Sequence, residues 1–230
     1  MPTEVLPGVT AIAFPRALVN AYVVRADVPT LVDTGTPGAT GKILGALPGL
    51  GLEPRDIGRI LLTHRHADHA GNAHELARLT GAEVHVAPAG VPYVSDSREQ
   101  PKPRPATPLG HLLVPYVSVA LPWTLEPAPT HPTLVDGASV GPFRVVATPG
   151  HTEDHVALLW EERGLLFTGD AAANFSRVGP HPAADDPELA RQSFRRLAEA
   201  PFDAAVFGHG QPVTSGAQGQ FRSARFRRAG

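Results

Sequence analysis

The chain contains no cysteine and only one methionine in 230 residues. Without thiols it has no disulfides, no thiolate metal ligands and no cysteine nucleophile, and its covalent structure is indifferent to the redox state of its compartment. Aromatic residues are scarce at 6% and charged residues at 18%, with a formal net charge of −2. That balance gives no global attraction to nucleic acid or to an anionic membrane. Lysine is nearly missing, since 18 of the 20 basic residues are arginine, a compositional bias without functional content. Long hydrophobic runs are missing too. No stretch approaches a membrane span, and the opening Met1-Pro2-Thr3-Glu4-Val5 has no basic segment leading into an apolar one, so a cytoplasmic protein is expected.

Hydrophobic residues nevertheless make up 42% of the chain, enough for a substantial core in one domain of this length. They come in short runs that each end in a polar cluster. Thr30-Leu31-Val32 leads into Asp33-Thr34-Gly35, Ile60-Leu61-Leu62 into Thr63-His64, and Val145-Val146-Ala147 into Thr148-Pro149-Gly150-His151. Leu165-Leu166-Phe167 leads into Thr168-Gly169-Asp170, and Ala204-Ala205-Val206-Phe207 into Gly208-His209-Gly210. Such runs read as buried strands, and open α/β sheets carry their ligands at the C-terminal ends of strands. Val9–Phe14 and Ala21–Val24 read as paired strands. Helices are expected over 41–47, over 72–80 closed by Gly81, and from Asp186-Pro187-Glu188 onward, with Leu189, Phe194 and Leu197 on one face.

Two segments break this grammar. Eleven of the 25 prolines fall between Pro88 and Pro132, so 89–135 reads as a long loop, either a lid or an insertion. It carries Tyr93, His111, Tyr116 and Trp123, amphipathic groups suited to closing over a substrate. The C-terminal stretch Phe221-Arg222-Ser223-Ala224-Arg225-Phe226-Arg227-Arg228 reads as a solvated basic end.

The densest chemistry is Thr63-His64-Arg65-His66-Ala67-Asp68-His69, three histidines and an aspartate in six positions. Imidazole and carboxylate are the side chains that bind divalent metals when cysteine is absent. Residues two apart in an extended stretch face the same way, so His64 and His66 can grip one ion together with His151. Asp68, His69 and His209 can hold a second, and Asp170, with two oxygens, can bridge both. Two metals roughly 3.5–4 Å apart would share a water whose pKa falls from about 16 toward neutrality, giving a hydroxide that attacks a carbonyl or phosphoryl centre. Asn174, Phe175 and Arg177 follow Asp170 and are candidates to line the pocket. His74, His85, His131 and His181 read as surface or loop residues.

The D-T-G at 33–35, T-H-x-H-x-D-H at 63–69, T-P-G-H-T at 148–152, G-D at 169–170 and G-H-G at 208–210 together resemble the metallo-β-lactamase-fold hydrolase superfamily, over essentially the whole chain. The resemblance implies an α+β fold, a four-layer αββα sandwich of two mixed sheets flanked by helices, with the metals at one edge. It implies a single domain over 1–230 in which 89–135 is a lid or insertion. The same seven ligands follow by position, with Asp68 also the catalytic carboxylate and with Asp33 and His155 as outer partners that orient ligands. Tyr93, Tyr116, Asn174 and Arg177 become candidate substrate contacts.

The implied cofactors are two divalent ions, zinc ahead of manganese or iron. The implied activity is hydrolysis of a small ester, thioester or lactone by a metal-bound hydroxide. The partner is then a small molecule, with neither nucleic acid nor membrane, and a homodimer is compatible with the chain. Glyoxalase II relatives carry a glutathione-binding helical domain where only about 20 residues follow Gly210 here. The RNA-gripping parts of the superfamily's nucleases have no counterpart. β-Lactamase and phosphodiesterase or nuclease activities therefore rank lower. The alternative from another class is a mononuclear iron dioxygenase acting on persulfide-type sulfur, which the same motifs support.

Overall fold

The computed structural model of the protein describes residues 2–14 and 18–225. Its N-terminal half builds β1 (Thr3–Leu6), β2 (Val9–Phe14), β3 (Val19–Val24), β4 (Thr30–Val32), helix α1 (Thr40–Ala46), β5 (Arg59–Leu61), α2 (Ala67–Ala70), α3 (Ala73–Thr80) and β6 (Glu83–His85). The middle contributes α4 (Val91–Val94), β7 (Arg104–Pro105) and α5 (Pro108–Ala120). The remainder forms β8 (Ser139–Val140), β9 (Phe143–Ala147), β10 (Val156–Trp160), β11 (Leu165–Phe167), β12 (Ala173–Asn174), β13 (Val178–Gly179), β14 (Ala183–Ala184), α6 (Pro187–Leu197), β15 (Ala204–Val206), β16 (His209–Gly210) and α7 (Ala217–Arg225).

One mixed sheet runs β13-β12-β16-β3-β4-β5-β6, with β2 on the other edge of β3 and β1 beyond it. The second runs β15-β11-β10-β9-β8. Period-two alternation along the strands separates three apolar layers. Tyr22, Val24, Val32 and Leu61 of the first sheet meet Val145, Leu158, Trp160 and Phe167 of the second in the middle. Val23, Leu31 and Ile60 face the opposite way, onto Ile43 and Leu47 at α1 and Leu76 of α3. Val146, Leu159 and Leu166 face α6 and α7 through Phe194, Leu197 and Phe221. The layers are helix, sheet, sheet, helix, the αββα sandwich expected from the motifs. No helix among the described residues is long and apolar enough to cross a membrane.

Local chemistry explains the helix ends. The carboxylate of Asp186 accepts from the N–H groups of Glu188 and Leu189, both at 3.0 Å, and Pro187 occupies the first helical position. Gly81 closes α3 at φ 80°, a left-handed conformation that glycine adopts without penalty.

The structure departs from the sequence pattern in several places. Leu189, in the first turn of α6, does not share the buried face, which is formed by Ala190, Ser193, Phe194 and Leu197, but is 36% exposed. The segment 89–135 is not an unstructured loop. It holds α4, the short β7–β14 pair and the thirteen-residue α5, which tolerates Pro115 in its interior. Phe221 is fully buried, stacked on Phe194 with ring centroids 5.1 Å apart, so this end of the chain packs as α7 on its Ala217–Phe221–Ala224 face. Phe226, Arg227 and Arg228 of the expected basic end lie outside the described residues. His85 is buried in β6, with its Nδ1 2.8 Å from the Thr133 hydroxyl, whereas His74 is a part-exposed residue of α3 beside Glu126. His131 forms a bridge with His85 and is exposed.

Candidate metal centre

The histidines and aspartates cluster where several strands end. The chain leaves β4 into Asp33, β5 into the 63–69 segment, β9 into His151, β11 into Asp170 and β15 into His209. His66 precedes α2, so Asp68 and His69 lie in that short helix and turn toward the same point from the other side.

Three nitrogens form one trio. His66 Nδ1 lies 3.1 Å from His64 Nε2 and 3.0 Å from His151 Nε2. The far side of each outer ring is fastened to protein. His151 Nδ1 donates to the Ala183 carbonyl at 2.8 Å, and His64 Nδ1 meets the Thr63 hydroxyl at 3.0 Å. The second trio is Asp68, His69 and His209. Asp68 Oδ2 lies 3.3 Å from His209 Nε2 and 3.9 Å from His69 Nε2, and the two imidazole nitrogens are 3.4 Å apart. Asp170 Oδ2 sits between the trios, 3.4 Å from His151 Nε2, 3.5 Å from His69 Nε2 and 3.3 Å from His209 Nε2.

These spacings fit metal coordination. At metal–ligand distances of about 2.0–2.1 Å, tetrahedral donors lie about 3.4 Å from one another. In each trio the three potential ligand atoms all lie within 4.8 Å of one another, close enough to share one ion. The atoms of His66 and Asp170 that face away from the trios, Nε2 and Oδ1, are buried without a hydrogen-bond partner in the protein, so the case for metal rests on the donor set and its spacing.

The supporting shell is equally specific. Asp33 Oδ1 accepts the Thr63 N–H at 2.8 Å, while Oδ2 accepts the Thr63 hydroxyl at 2.9 Å and His69 Nδ1 at 2.9 Å. Asp33 achieves this at φ 59°, a left-handed conformation that costs roughly 1–2 kcal/mol for a residue with a Cβ and is held by those bonds. His155 donates from Nδ1 to the Thr148 hydroxyl at 2.7 Å and accepts the Asp170 N–H at 2.8 Å on Nε2, so it aims Asp170 through its backbone. Gly208 completes the packing. A Cβ there would collide with Asp170 Oδ1 and His69 Cε1. Asp33→Asn keeps the volume but replaces a two-oxygen acceptor by a single one. It is expected to lower metal affinity or activity about 10- to 100-fold, measured by competition with a chromophoric chelator.

Electrostatics sort the ligands by charge. Burial would raise the Asp170 carboxyl, but His209, His181 and His69 hold it well below the usual range. Burial would likewise lower His209, yet the charge and hydrogen bond of Asp170 push it up to about 10. His66 and His155 go the other way, each lowered to about 3 chiefly by burial. Unfolded imidazoles titrate near 6.5, so below that pH the unfolded chain binds these two protons and the folded one does not. The metal-free protein is therefore expected to lose stability as pH falls from about 6.5 toward 3. The loss is read as a falling urea midpoint across that window.

The other candidates fall in different places. Tyr116 on α5 lines the cavity above the two trios and is 78% exposed. Tyr93 is buried away from it, its ring 4.4 Å from the Arg65 guanidinium. Asn174 fastens the strand of His209, donating to the Gln211 carbonyl at 2.8 Å. Arg177 lies at the tip of the β12–β13 hairpin and borders a separate cleft beside α7, because the hairpin carries it away from Asp170.

Two participants have no motif to announce them. His181 reads as a loop residue, yet its Nε2 lies 3.5 Å from Asp170 Oδ2, facing the cavity between the trios. Its flanks, Pro180 and Pro182, give no strand run leading to it. Arg65 is 1% exposed; it donates to Asp154 Oδ1 at 2.6 Å and to Asp185 Oδ2. It thereby ties the 63–69 segment to the loops bearing His151 and His181. A spacer between two histidines carries no signal of that role.

Comparison with known proteins places this geometry. The family model described as the metallo-beta-lactamase superfamily matches residues 15–209. A probable metallo-hydrolase of Bacillus subtilis (strain 168) is 29% identical over 203 residues, covering 80% of this chain and 76% of that protein. A hydroxyacylglutathione hydrolase of Cereibacter sphaeroides is 34% identical over 163 residues, 70% of this chain but 50% of that protein. Among solved structures, a metallo-beta-lactamase family protein of Thermus thermophilus is similar at a TM-score of 0.68 and 26% identity, over 96% of this chain and 79% of that one.

Proposed function

The chain belongs to the metallo-β-lactamase superfamily and is a metallo-hydrolase; on that premise we propose that it holds two divalent ions, zinc by preference, and cleaves a small ester, thioester or lactone. The observation that carries this is the place of Asp170 Oδ2, within 3.3–3.5 Å of imidazole nitrogens from both trios. His64, His66 and His151 would hold one ion, Asp68, His69 and His209 the other, and Asp170 both. Bound divalent ions supply an acidified water and a Lewis acid for the substrate oxygen.

The protein's own groups do the rest. Asp33 and His155 fix His69 and Asp170 so that little reorganisation accompanies reaction. Asp68, which borders the cavity, is held well below the usual carboxylate range by His69 and His209 despite its burial, and stays anionic as ligand and catalytic carboxylate. Relatives named as a probable metallo-hydrolase and a hydroxyacylglutathione hydrolase support a hydrolytic reaction.

The test is a panel of ester, thioester, lactone, β-lactam and phosphodiester substrates, run with oxygen uptake on the same preparation. Turnover of an acyl substrate without oxygen uptake is expected. One iron per chain with oxygen uptake on a persulfide would replace this reading by a dioxygenase.

A further inference from the structure

Resting on the hydrolase reading, we propose that the part of the substrate away from the scissile bond is an uncharged apolar acyl or aryl group, seated in the cavity above the metal centre. The cavity has a volume of about 550 Å³, within the usual span of small-molecule sites. Its floor is the imidazoles and carboxylates described above. Its walls are Leu18, Leu113, Tyr116, Trp123 and Phe175. Among the described lining residues there is no lysine, arginine or glutamate, and beyond the floor the side chains with polar atoms are Thr36, Gln100, the Tyr116 phenol and the Trp123 indole. The Gln100 amide already donates to the Arg65 carbonyl at 2.9 Å. A substrate arm bearing phosphate or free carboxylates would meet no counter-charge on these walls, and stripping it of water would go uncompensated.

The surface around the mouth points the same way. Among the described residues nine large hydrophobic side chains are exposed, and seven of them (Leu18, Leu109, Leu112, Leu113, Tyr116, Val119 and Phe175) lie on α5 or on the cavity wall. Helix α5, with the sequence PLGHLLVPYVSVA, carries no Asp, Glu, Lys or Arg. Apolar surface gathered in one place on a protein marks a binding site. Here Leu113 and Tyr116 belong both to the exposed helix and to the cavity, so the apolar surface runs inward to the metal centre.

Two series test this on the full-length, metal-loaded protein. The first is kcat/KM for p-nitrophenyl esters from acetate to decanoate, with a hemisuccinate ester as the charged control. The second is binding of n-alkanols from butanol to decanol, which need no hydrolysis, read by calorimetry and by tryptophan fluorescence. Both kcat/KM and alkanol affinity are expected to rise roughly fourfold per methylene until the cavity is filled. Trp123→Ala and Phe175→Ala are expected to flatten both slopes. Flat series, or a hemisuccinate ester preferred to a neutral ester of equal length, would overturn the proposal. Alkanol affinity that climbs while no ester, thioester or lactone is turned over would leave the apolar binding site standing and sink the hydrolase reading. Esters turned over at one rate with flat alkanol binding would do the reverse.

Discussion

An Asp170→Asn variant is expected to lose about a thousandfold in kcat and to retain at most one metal ion per chain. The substitution keeps the size of the side chain and removes its charge. In the native protein Oδ2 lies 3.3–3.5 Å from four imidazole nitrogens, those of His69, His151, His181 and His209. No other carboxylate among the described residues reaches both trios. Losing it uncouples the two sets of ligands and removes the anionic oxygen that both would share. A thousandfold in rate corresponds to about 4 kcal/mol, in keeping with the several kcal/mol that a bound metal contributes to transition-state charge. Metal analysis and kinetics on one preparation decide the matter. A variant that keeps its full complement of metal and its full rate would show that Asp170 is not the bridge.

The second large effect concerns stability. Arg65→Met is expected to destabilise the protein by about 3–5 kcal/mol, the usual cost of removing one member of a buried ion pair. Arg65 is 1% exposed and faces Asp154 and Asp185, whose carboxyls burial pushes up and whose main offset is the charge of Arg65. Methionine fills the volume but leaves two carboxylates that must take up protons or draw in water. The loss is therefore expected to shrink as pH falls, because carboxyls raised by burial take up protons in the folded variant before they do in the unfolded chain. Urea unfolding of both proteins at pH 8 and pH 5 measures it. Equal midpoints at pH 8 would mean that Arg65 is not a structural tie. Because Asp154 and Asp185 belong to the loops of His151 and His181, metal affinity is expected to fall with stability.

Much of this was readable in the chain. Each apolar run ending in histidine or aspartate became a strand or strand end at the site, because a buried strand must stop where polar ligands begin. The Asp186-Pro187-Glu188 start was legible for the same kind of reason, since it satisfies the first N–H groups of α6 within three residues. Helix α5 was not. Its residues are apolar nearly all round, so no amphipathic period separates a buried from an exposed face, and Pro108 and Pro115 read as loop punctuation. His181 and Arg65 were illegible for another reason. Their roles depend on which loops the two sheets bring together, and no local spacing encodes that. Phe221 was hidden by the arginines around it, although Ala217, Phe221 and Ala224 fall on one helical face.

The most direct test of the central claim is a metal titration of chelator-stripped protein, with hydrolysis of a neutral acyl ester followed at each addition of zinc. Two trios joined by Asp170 predict that activity rises with bound zinc and levels off at two ions per chain, with the Asp170→Asn variant staying near background throughout. Full activity in the stripped protein, or a plateau at one ion that Asp170→Asn also reaches, would contradict it.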